Sequence, residues 1–294
     1  MLNYLTVQDL ATMLRTSWGL IKEIDKTHLR KQYKTIALDQ VEYIAIDEFS
    51  IRKGHTYMTV VMDLVTKRVI YVGQGRSAEV LTPLFERLKK ENIKLKAIAM
   101  DMWPAYIQAV TSYFPDVPIV FDRFHIEKNL NQVLSDVRRG IFRDEVDLNK
   151  RKLIKGTRWL LLKDSQNLAE EKNEKQKLEL ALSINKPLAM AYYLKEELRL
   201  LWKLNTVEKA KTFLGKWAAK AIASGIKGLI KFAHSLLSHR SGIFNWFENR
   251  ISTGPLEGTN NKIKVLKRKA YGYRDNDYFI LKIYNLHAKK YPLL

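Results

Sequence analysis

Apolar residues near the start of the chain recur at helical spacing and predict two short helices between Thr6 and Tyr33. Thr6 and Ser17 stand where each helix would begin, and both residue types are preferred at helix N-caps. Basic residues, among them Arg30 and Lys31, lie at the end of the second predicted helix. Two helices joined by a short turn suit a helix-turn-helix. Any small helical hairpin explains this segment equally well.

From Val41 onward the pattern changes to short, continuous apolar runs. Such runs are typical of strands that are buried on both faces of a sheet. Helical stripes separate the later runs, so the predicted order is β-β-β-α-β-α-β-α, which builds a mixed α/β sheet with helices on its faces. The predicted strands are Tyr43–Ile46, Tyr57–Met62, Arg68–Val72, Ala97–Met100 and Ile119–Phe121, with helices over Ser77–Lys90 and from Pro104.

The strand pattern disappears after about Gly140, and a block of amphipathic helices follows. Leu and Trp recur there at helical spacing while Lys, Glu and Gln fill the intervening positions. The last stretch, from Gly254, is again helical and strongly basic. We therefore predict a partial helix-turn-helix, DNA-binding segment at residues 1–36, a core at 37–140 and 250–294, and an all-helical insertion at 141–249.

Composition narrows the class of protein. The 294 residues include 51 Lys+Arg against 31 Asp+Glu, a net charge of +20, and no cysteine. This charge favours a polyanionic partner such as nucleic acid, and the missing cysteines exclude disulfides and thiolate metal sites. No apolar stretch approaches the roughly 20 residues of a membrane span, so we expect no membrane partner and a cytoplasmic location.

Three acids stand at the edges of predicted elements. Asp47 and Asp101 each follow an apolar strand, and Glu257 lies in the first turn of the basic C-terminal helix. Each has an ordinary explanation, since Asp caps helices and loops and Glu complements a helix dipole. Strands of such a sheet nevertheless deliver side chains to a shared crevice. Carboxylates gathered there are the ligands that Mg²⁺ prefers.

Asp122 and His125 form a second polar pair, at a strand-to-helix junction. A hydrogen bond between them would orient the imidazole, although Asp122 as a helix cap explains the pattern equally well. Gly73-Gln74-Gly75 lacks the glycine spacing and the Lys-Ser/Thr of a phosphate loop, so we interpret it as a turn.

Four blocks of sequence, in order, resemble the IS-L-three family of bacterial insertion-sequence transposases. They are Ile46-Asp47-Glu48-Phe49-Ser50, Asp101-Met102-Trp103-Pro104-Ala105-Tyr106, Asp122-Arg123-Phe124-His125, and Glu257-Gly258-Thr259-Asn260-Asn261-Lys262-Ile263-Lys264, which is followed by Arg268-Lys269-Ala270-Tyr271-Gly272-Tyr273. Family members usually begin with a cysteine-containing zinc segment, and this chain has no cysteine.

The resemblance implies a ribonuclease-H-like core that is split by the helical insertion before the glutamate. It also implies that Asp47, Asp101 and Glu257 form a catalytic triad holding two Mg²⁺ ions, with Mn²⁺ as a substitute, and that Asp122 and His125 support it. The substrate would be double-stranded DNA, at the element ends and the target, cut and joined by a nucleoid-associated homodimer or higher oligomer. Residues expected to contact DNA are Arg52, Lys53, Asn260, Asn261, Lys262, Lys264, Lys267, Arg268 and Lys269.

Two alternatives remain open from the sequence. One is another ribonuclease-H-like DNA nuclease, such as a junction-resolving enzyme. The other is a truncated, non-catalytic DNA-binding derivative of a transposase.

Overall fold

A computed structural model describes residues 5–52 and 56–287. The strands are β1 (Tyr43–Arg52), β2 (Thr56–Asp63), β3 (Val69–Gln74), β4 (Ala97–Met100) and β5 (Ile119–Phe121). The helices are α1 (Val7–Met13), α2 (Trp18–Gln32), α3 (Thr82–Lys90), α4 (Pro104–Tyr113), α5 (Arg123–Asp144), α6 (Leu148–Gly156), α7 (Arg158–Leu162), α8 (Glu174–Ser183), α9 (Lys186–Arg199), α10 (Val207–Ala223), α11 (Lys227–Ser238), α12 (Arg240–Asn249), α13 (Gly254–Lys269) and α14 (Asn276–Tyr284). Five 3₁₀ turns cover Ala78–Leu81, Ser165–Asn167, Glu170–Lys172, Leu200–Lys203 and Asn285–His287.

The two predicted N-terminal helices are present, and each begins at its predicted cap. The Thr6 hydroxyl accepts a hydrogen bond from the backbone amide of Asp9, whose carboxylate accepts one from the Thr6 amide in return. Ser17 accepts from the backbone amide of Leu20 at the start of α2. These side chains satisfy backbone donors that a helix start would otherwise leave unpaired.

The five strands form one mixed sheet in the order β3-β2-β1-β4-β5. Strands β1, β2 and β3 are an antiparallel meander, and β4 then pairs parallel to β1. The element order from β1 to α5 is the one that the sequence predicts. The predicted fold class, an α/β fold built on a mixed sheet, is thereby confirmed.

Strand β1 is longer than its apolar run and extends to Arg52, six residues beyond Ile46. The reason is its antiparallel partner, because β2 pairs with β1 from Ile44 to Arg52, whereas β4 pairs only as far as Ile46. Asp47 therefore lies within β1, at the point where parallel pairing with β4 stops.

Side chains alternate between the two faces of the sheet. On one face, Ala45, Phe49 and Ile51 of β1 pack with Ala99 of β4 against apolar residues of α13 and α14, namely Leu256, Ile263, Phe279 and Ile283. We call this the α13 face. It carries the main buried contact between the sheet and the C-terminal helices.

The chain divides into two compact units, residues 1–120 with 251–294, and residues 121–250. The predicted insertion begins at residue 141, a position that falls inside the continuous 22-residue helix α5. Buried residues along α5, including Ile126, Leu130 and Leu134, belong to a helix that packs on α9 and α11, so the whole helix joins the second unit. Within the described residues, no helix has both the length and the apolar character that crossing a membrane requires.

Candidate active site and nucleic-acid interface

Asp47 and Asp101 occupy matching positions on neighbouring parallel strands. Ala45 pairs with Ala99 and Ile46 with Met100, so each aspartate directly follows the last register pair. Both alanines belong to the buried cluster on the α13 face. Asp47 lies two residues after Ala45, and Asp101 two residues after Ala99. Because side chains alternate along an extended segment, both aspartates are directed toward the α13 face. The sequence predicts that the ends of these two strands can lie side by side, and the register places the two aspartates at adjacent positions.

Each aspartate is fixed by local hydrogen bonds. Asp47 Oδ1 accepts from the backbone amide of Glu48 at 2.8 Å, and Asp101 Oδ1 accepts from that of Met102 at 2.5 Å. Bonds from backbone amides limit the rotation of a carboxylate and so fix its orientation. Both side chains are half-buried, so they remain available to a ligand.

Helix α13 contributes a further contact to Asp47. The helix starts at Gly254-Pro255, where proline suits the first turn, and its apolar stripe packs on β1. Asn260 is only 4% exposed and donates from Nδ2 to Asp47 Oδ2 at 2.8 Å. Its other polar atom, Oδ1, is buried without a hydrogen-bond partner among the described residues. Buried acceptors of this kind are rare and call for an explanation.

Glu257 lies one helical turn before Asn260, on the exposed side of α13. The helix therefore brings the third acid to the side of the sheet that carries Asp47 and Asp101. In the described parts of the chain, however, no three His, Asp or Glu side chains are grouped tightly enough to hold a metal ion. The available donors still fit a hard divalent cation, because carboxylates and the unpartnered amide oxygen of Asn260 are oxygen ligands.

Glu48 lies on the opposite face of β1, as expected for the next residue of a strand. There the Tyr106 side chain of α4 hydrogen-bonds with Glu48 and lies 2.9 Å from the Thr59 hydroxyl. Burial raises the pKa of Tyr106 far above its usual range, and the charges of Glu48 and Asp47 add to this effect. Tyr106 thus remains a protonated donor beneath the candidate site.

Asp122 and His125 are in contact, as the sequence suggests. Asp122 is the N-cap of α5 and is 4% exposed, and its Oδ2 lies 3.1 Å from His125 Nδ1. The same carboxylate accepts from the His125 backbone amide. The Asp122 side chain therefore both caps α5 and contacts the imidazole of His125. Both residues belong to the second compact unit.

Most of the residues expected to contact DNA lie around a single cavity of about 1340 Å³ within the first unit. The lining residues predicted from sequence are Arg52, Asn261, Lys262, Lys267 and Lys269. Lys264 and Arg268 are exposed on the neighbouring side of α13, together with Glu257. Asn260 is buried against Asp47 instead. Lys53 lies outside the described residues.

Arg76, which stacks on Trp103 two residues after Asp101, is a cation that the sequence does not single out. The guanidinium of Arg76 lies between the rings of Tyr57 and Trp103, at 4.2 and 4.6 Å from their centroids. Trp103 in turn donates from its indole nitrogen to the Arg76 carbonyl. Gly75, at φ +100°, makes the turn that presents Arg76. The sequence marks the Gly73-Gln74-Gly75 turn directly before Arg76. Tyr57, Arg76 and Trp103 are too far apart along the chain for a local pattern to predict that they stack.

The chain is similar in sequence to known transposases. A family model described as a transposase, that of the IS-L-three family, matches residues 44–283. The transposase for insertion sequence element IS1001 of Bordetella parapertussis is 36% identical over 280 residues, covering 94% of this chain and 68% of the relative. The transposase for IS1557 of Mycobacterium tuberculosis is 27% identical over 254 residues, covering 79% of this chain and 56% of the relative.

A solved structure, the Drosophila P element transposase strand transfer complex, aligns with 89% of this chain and 81% of its own, at 10% identity and a TM-score of 0.42. The family model covers both the sheet with its two aspartates and the helix with Glu257. Together with the relative that is 36% identical, this match shows that the chain belongs to the IS-L-three family of transposases.

Proposed function

We propose that this chain cuts DNA at the ends of an insertion sequence and joins the freed 3′-hydroxyl to target DNA, using Asp47, Asp101 and Glu257. One observation supports the proposal most strongly. The two aspartates follow the last register pair of two parallel strands, on the face that is covered by the helix carrying Glu257. A site of this kind suits phosphodiester chemistry, in which negative charge develops on phosphate oxygens.

Asp47, Asp101 and Glu257 are the residues that would hold two Mg²⁺ ions, or Mn²⁺ in their place. When bound, such a pair of ions stabilises the attacking and the leaving oxygens of an in-line displacement. The protein's own part is to hold the carboxylates in fixed orientations. The amides of Glu48 and Met102 and the side chain of Asn260 do this for the two aspartates.

The basic residues around α13 would bind the DNA backbone. Arg52, Lys262, Lys267 and Lys269 line one cavity, and Lys264 and Arg268 extend the positive surface past Glu257. Phosphate contacts position a nucleic acid without reading its sequence. Since two element ends must be joined in one reaction, the active complex would contain at least two copies of the chain. A DNA substrate also implies association with the nucleoid.

The decisive test measures cleavage and joining separately. The purified chain is mixed with Mg²⁺, a labelled duplex carrying the DNA that flanks its own coding sequence, and a supercoiled target plasmid. We expect nicking at the element end and transfer of label to the plasmid. Asp47→Asn, Asp101→Asn and Glu257→Gln should each abolish both products while leaving duplex affinity within about twofold. Asp116→Asn, an exposed acid that precedes β5, is the matched control and should remain active.

The outcomes separate the competing functions. Cleavage without transfer of label would indicate a nuclease rather than a transposase. Binding without cleavage by the unaltered chain would indicate a non-catalytic DNA-binding derivative. Loss of DNA binding in parallel with cleavage, in any of the three acid variants, would contradict their role as metal ligands.

A further inference from the structure

The cavity beside α13 is a groove between two parts of the first unit. One wall is the start of α1, from Leu5 to Gln8, with Trp18 and Lys22 of α2. The other wall is the exposed side of α13 and the loop that follows it as far as Asp275. We call this cavity the α13 groove. Its volume, about 1340 Å³, exceeds the roughly 300–1,000 Å³ of a typical small-molecule site.

The lining of the α13 groove is strongly basic. Among the described residues that line it, the one acid is Asp275, which is neutralised by Lys22 and Lys26 at 2.7 and 2.6 Å. Four of the lining cations are exposed to solvent, namely Arg52, Lys262, Lys269 and Arg274. A concave surface with this excess of positive charge is complementary to a polyanion.

Apolar and aromatic side chains lie between the cations. Val265 and Leu266 of α13 and Trp18 of α2 line the groove, and Trp18 is 49% exposed. Tyr271 is more unusual, because it is 100% exposed and its backbone has φ +51°. A bulky residue rarely adopts this left-handed conformation, and such strain often marks a functional position. The ring is thus held out at the rim of the groove.

We propose that the α13 groove binds single-stranded DNA, with an unpaired base stacked on Tyr271 and the phosphates contacted by the four exposed cations. Proteins that bind single strands combine a positive groove with aromatic rings on which bases stack. In a duplex the base faces are already stacked on one another, so the exposed ring and the apolar lining would gain little. This inference rests on the proposed function, which supplies DNA as the ligand.

The α13 groove lies along the helix that carries Glu257. Gly258, which lines it, follows Glu257 in sequence, and Lys269 lines it at the other end of α13. At 1.5 Å per residue, the twelve steps from Glu257 to Lys269 span about 18 Å of helix. A single strand lying along α13 would run from Tyr271 toward the carboxylates. The groove therefore suits DNA that is unpaired next to the cleaved bond.

The test measures binding without catalysis. Affinities of the full-length chain for a fluorescein-labelled oligothymidylate and for a duplex of equal length are measured by anisotropy in EDTA. We expect Tyr271→Asn to weaken single-strand binding about tenfold and duplex binding less than twofold. Asparagine tolerates the left-handed backbone, so the fold should be retained, as an unchanged melting temperature would confirm. Tyr271→Phe keeps the ring and should bind like the unaltered chain.

Two further variants complete the design. Tyr193→Ala removes another exposed tyrosine, on α9 of the second unit, and should leave single-strand affinity unchanged. Lys269→Gln should lower the salt dependence of single-strand binding by about 0.7 in the log–log slope, the value of one phosphate contact. Equal losses of single-strand and duplex affinity in Tyr271→Asn, or no loss of either, would overturn the proposal. If the unaltered chain binds single strands through Tyr271 but neither cuts nor joins DNA, the proposed function fails while this inference stands.

Discussion

At the scale of single residues, Asn260 is the position whose role changes most between sequence and structure. The sequence suggests an amide that contacts DNA, whereas the side chain is buried and donates to Asp47. It links the strand that carries one acid to the helix that carries another. Because Glu257 lies one turn away on α13, this contact also fixes the position of Glu257 relative to β1.

Replacing Asn260 by alanine should therefore affect both stability and the site. We expect Asn260→Ala to lower the free energy of unfolding by about 1–2 kcal/mol, since a buried hydrogen bond to a carboxylate is lost. Denaturant unfolding followed by circular dichroism measures this change. Asn261→Ala, at the exposed neighbouring position, should change stability by less than about 0.5 kcal/mol. Equal effects of the two variants would show that the Asp47 contact contributes little.

At the scale of elements, helices α2 and α14 are joined by ion pairs between residues far apart in sequence. Lys22 and Lys26 of α2 contact Asp275, the N-cap of α14, and Asp25 contacts Tyr278 and Lys282. Burial alone would raise the pKa of Asp275. Hydrogen bonds from the two lysines and from the Tyr278 backbone amide outweigh burial and hold that pKa well below its usual range.

This cluster predicts acid sensitivity of the junction between α2 and α14. A carboxyl group whose pKa is lowered by folding stabilises the folded state above its ordinary pKa, near 3.8, and loses that effect as pH falls further. Unfolding experiments between pH 7 and pH 3 should show a loss of about 1–2 kcal/mol from this group. Asp275→Asn retains the helix cap but not the charge, so its stability should lack this component. An identical pH profile for the variant would contradict the assignment.

Helix α13 gives a second prediction at this scale, concerning its outer face. Lys264 and Arg268 are exposed there at helical spacing from Glu257. Lys264→Gln should weaken duplex binding for all sequences alike and reduce the log–log salt slope by about 0.9. Lys94→Gln is the matched control, because Lys94 precedes β4 and lies at the end of that strand opposite Asp101. A loss confined to particular DNA sequences would instead indicate that Lys264 contacts bases.

At the scale of the whole molecule, the second unit contains a buried lysine, Lys195, that is hydrogen-bonded to backbone carbonyls. Lys195 of α9 is 2% exposed, pairs with Glu196, and donates to the carbonyls of Leu161 and Lys163 at 2.9 and 2.8 Å. These carbonyls lie at the C-terminal end of α7, where backbone acceptors lack helical partners. Burial lowers the pKa of Lys195, although Glu196 opposes this effect.

We expect Lys195→Met to destabilise the second unit by about 2–4 kcal/mol, because the α7 carbonyls would be left unpaired. Hydrogen exchange should show loss of protection within residues 121–250 and near-normal protection of β1, β2 and β4. Lys220→Met removes an exposed partner of Glu197 and should have little effect. Equal loss of protection throughout the chain would show that the two units unfold as one.

The sequence by itself determined the elements of the fold, their order along the chain and both N-terminal caps, because these depend on local periodicity and residue chemistry. The catalytic role of the three acids stays a prediction. The sequence also predicted that the strand ends bearing Asp47 and Asp101 can lie side by side, since parallel strands place their carboxyl ends at one edge. Tertiary structure decided the rest. The length of β1 depends on pairing with β2, the start of the second unit depends on the packing of α5, and the contact between Asn260 and Asp47 joins positions 213 apart. The α13 groove likewise requires the first helices to face the last ones, an arrangement set by ion pairs and packing that no local pattern encodes.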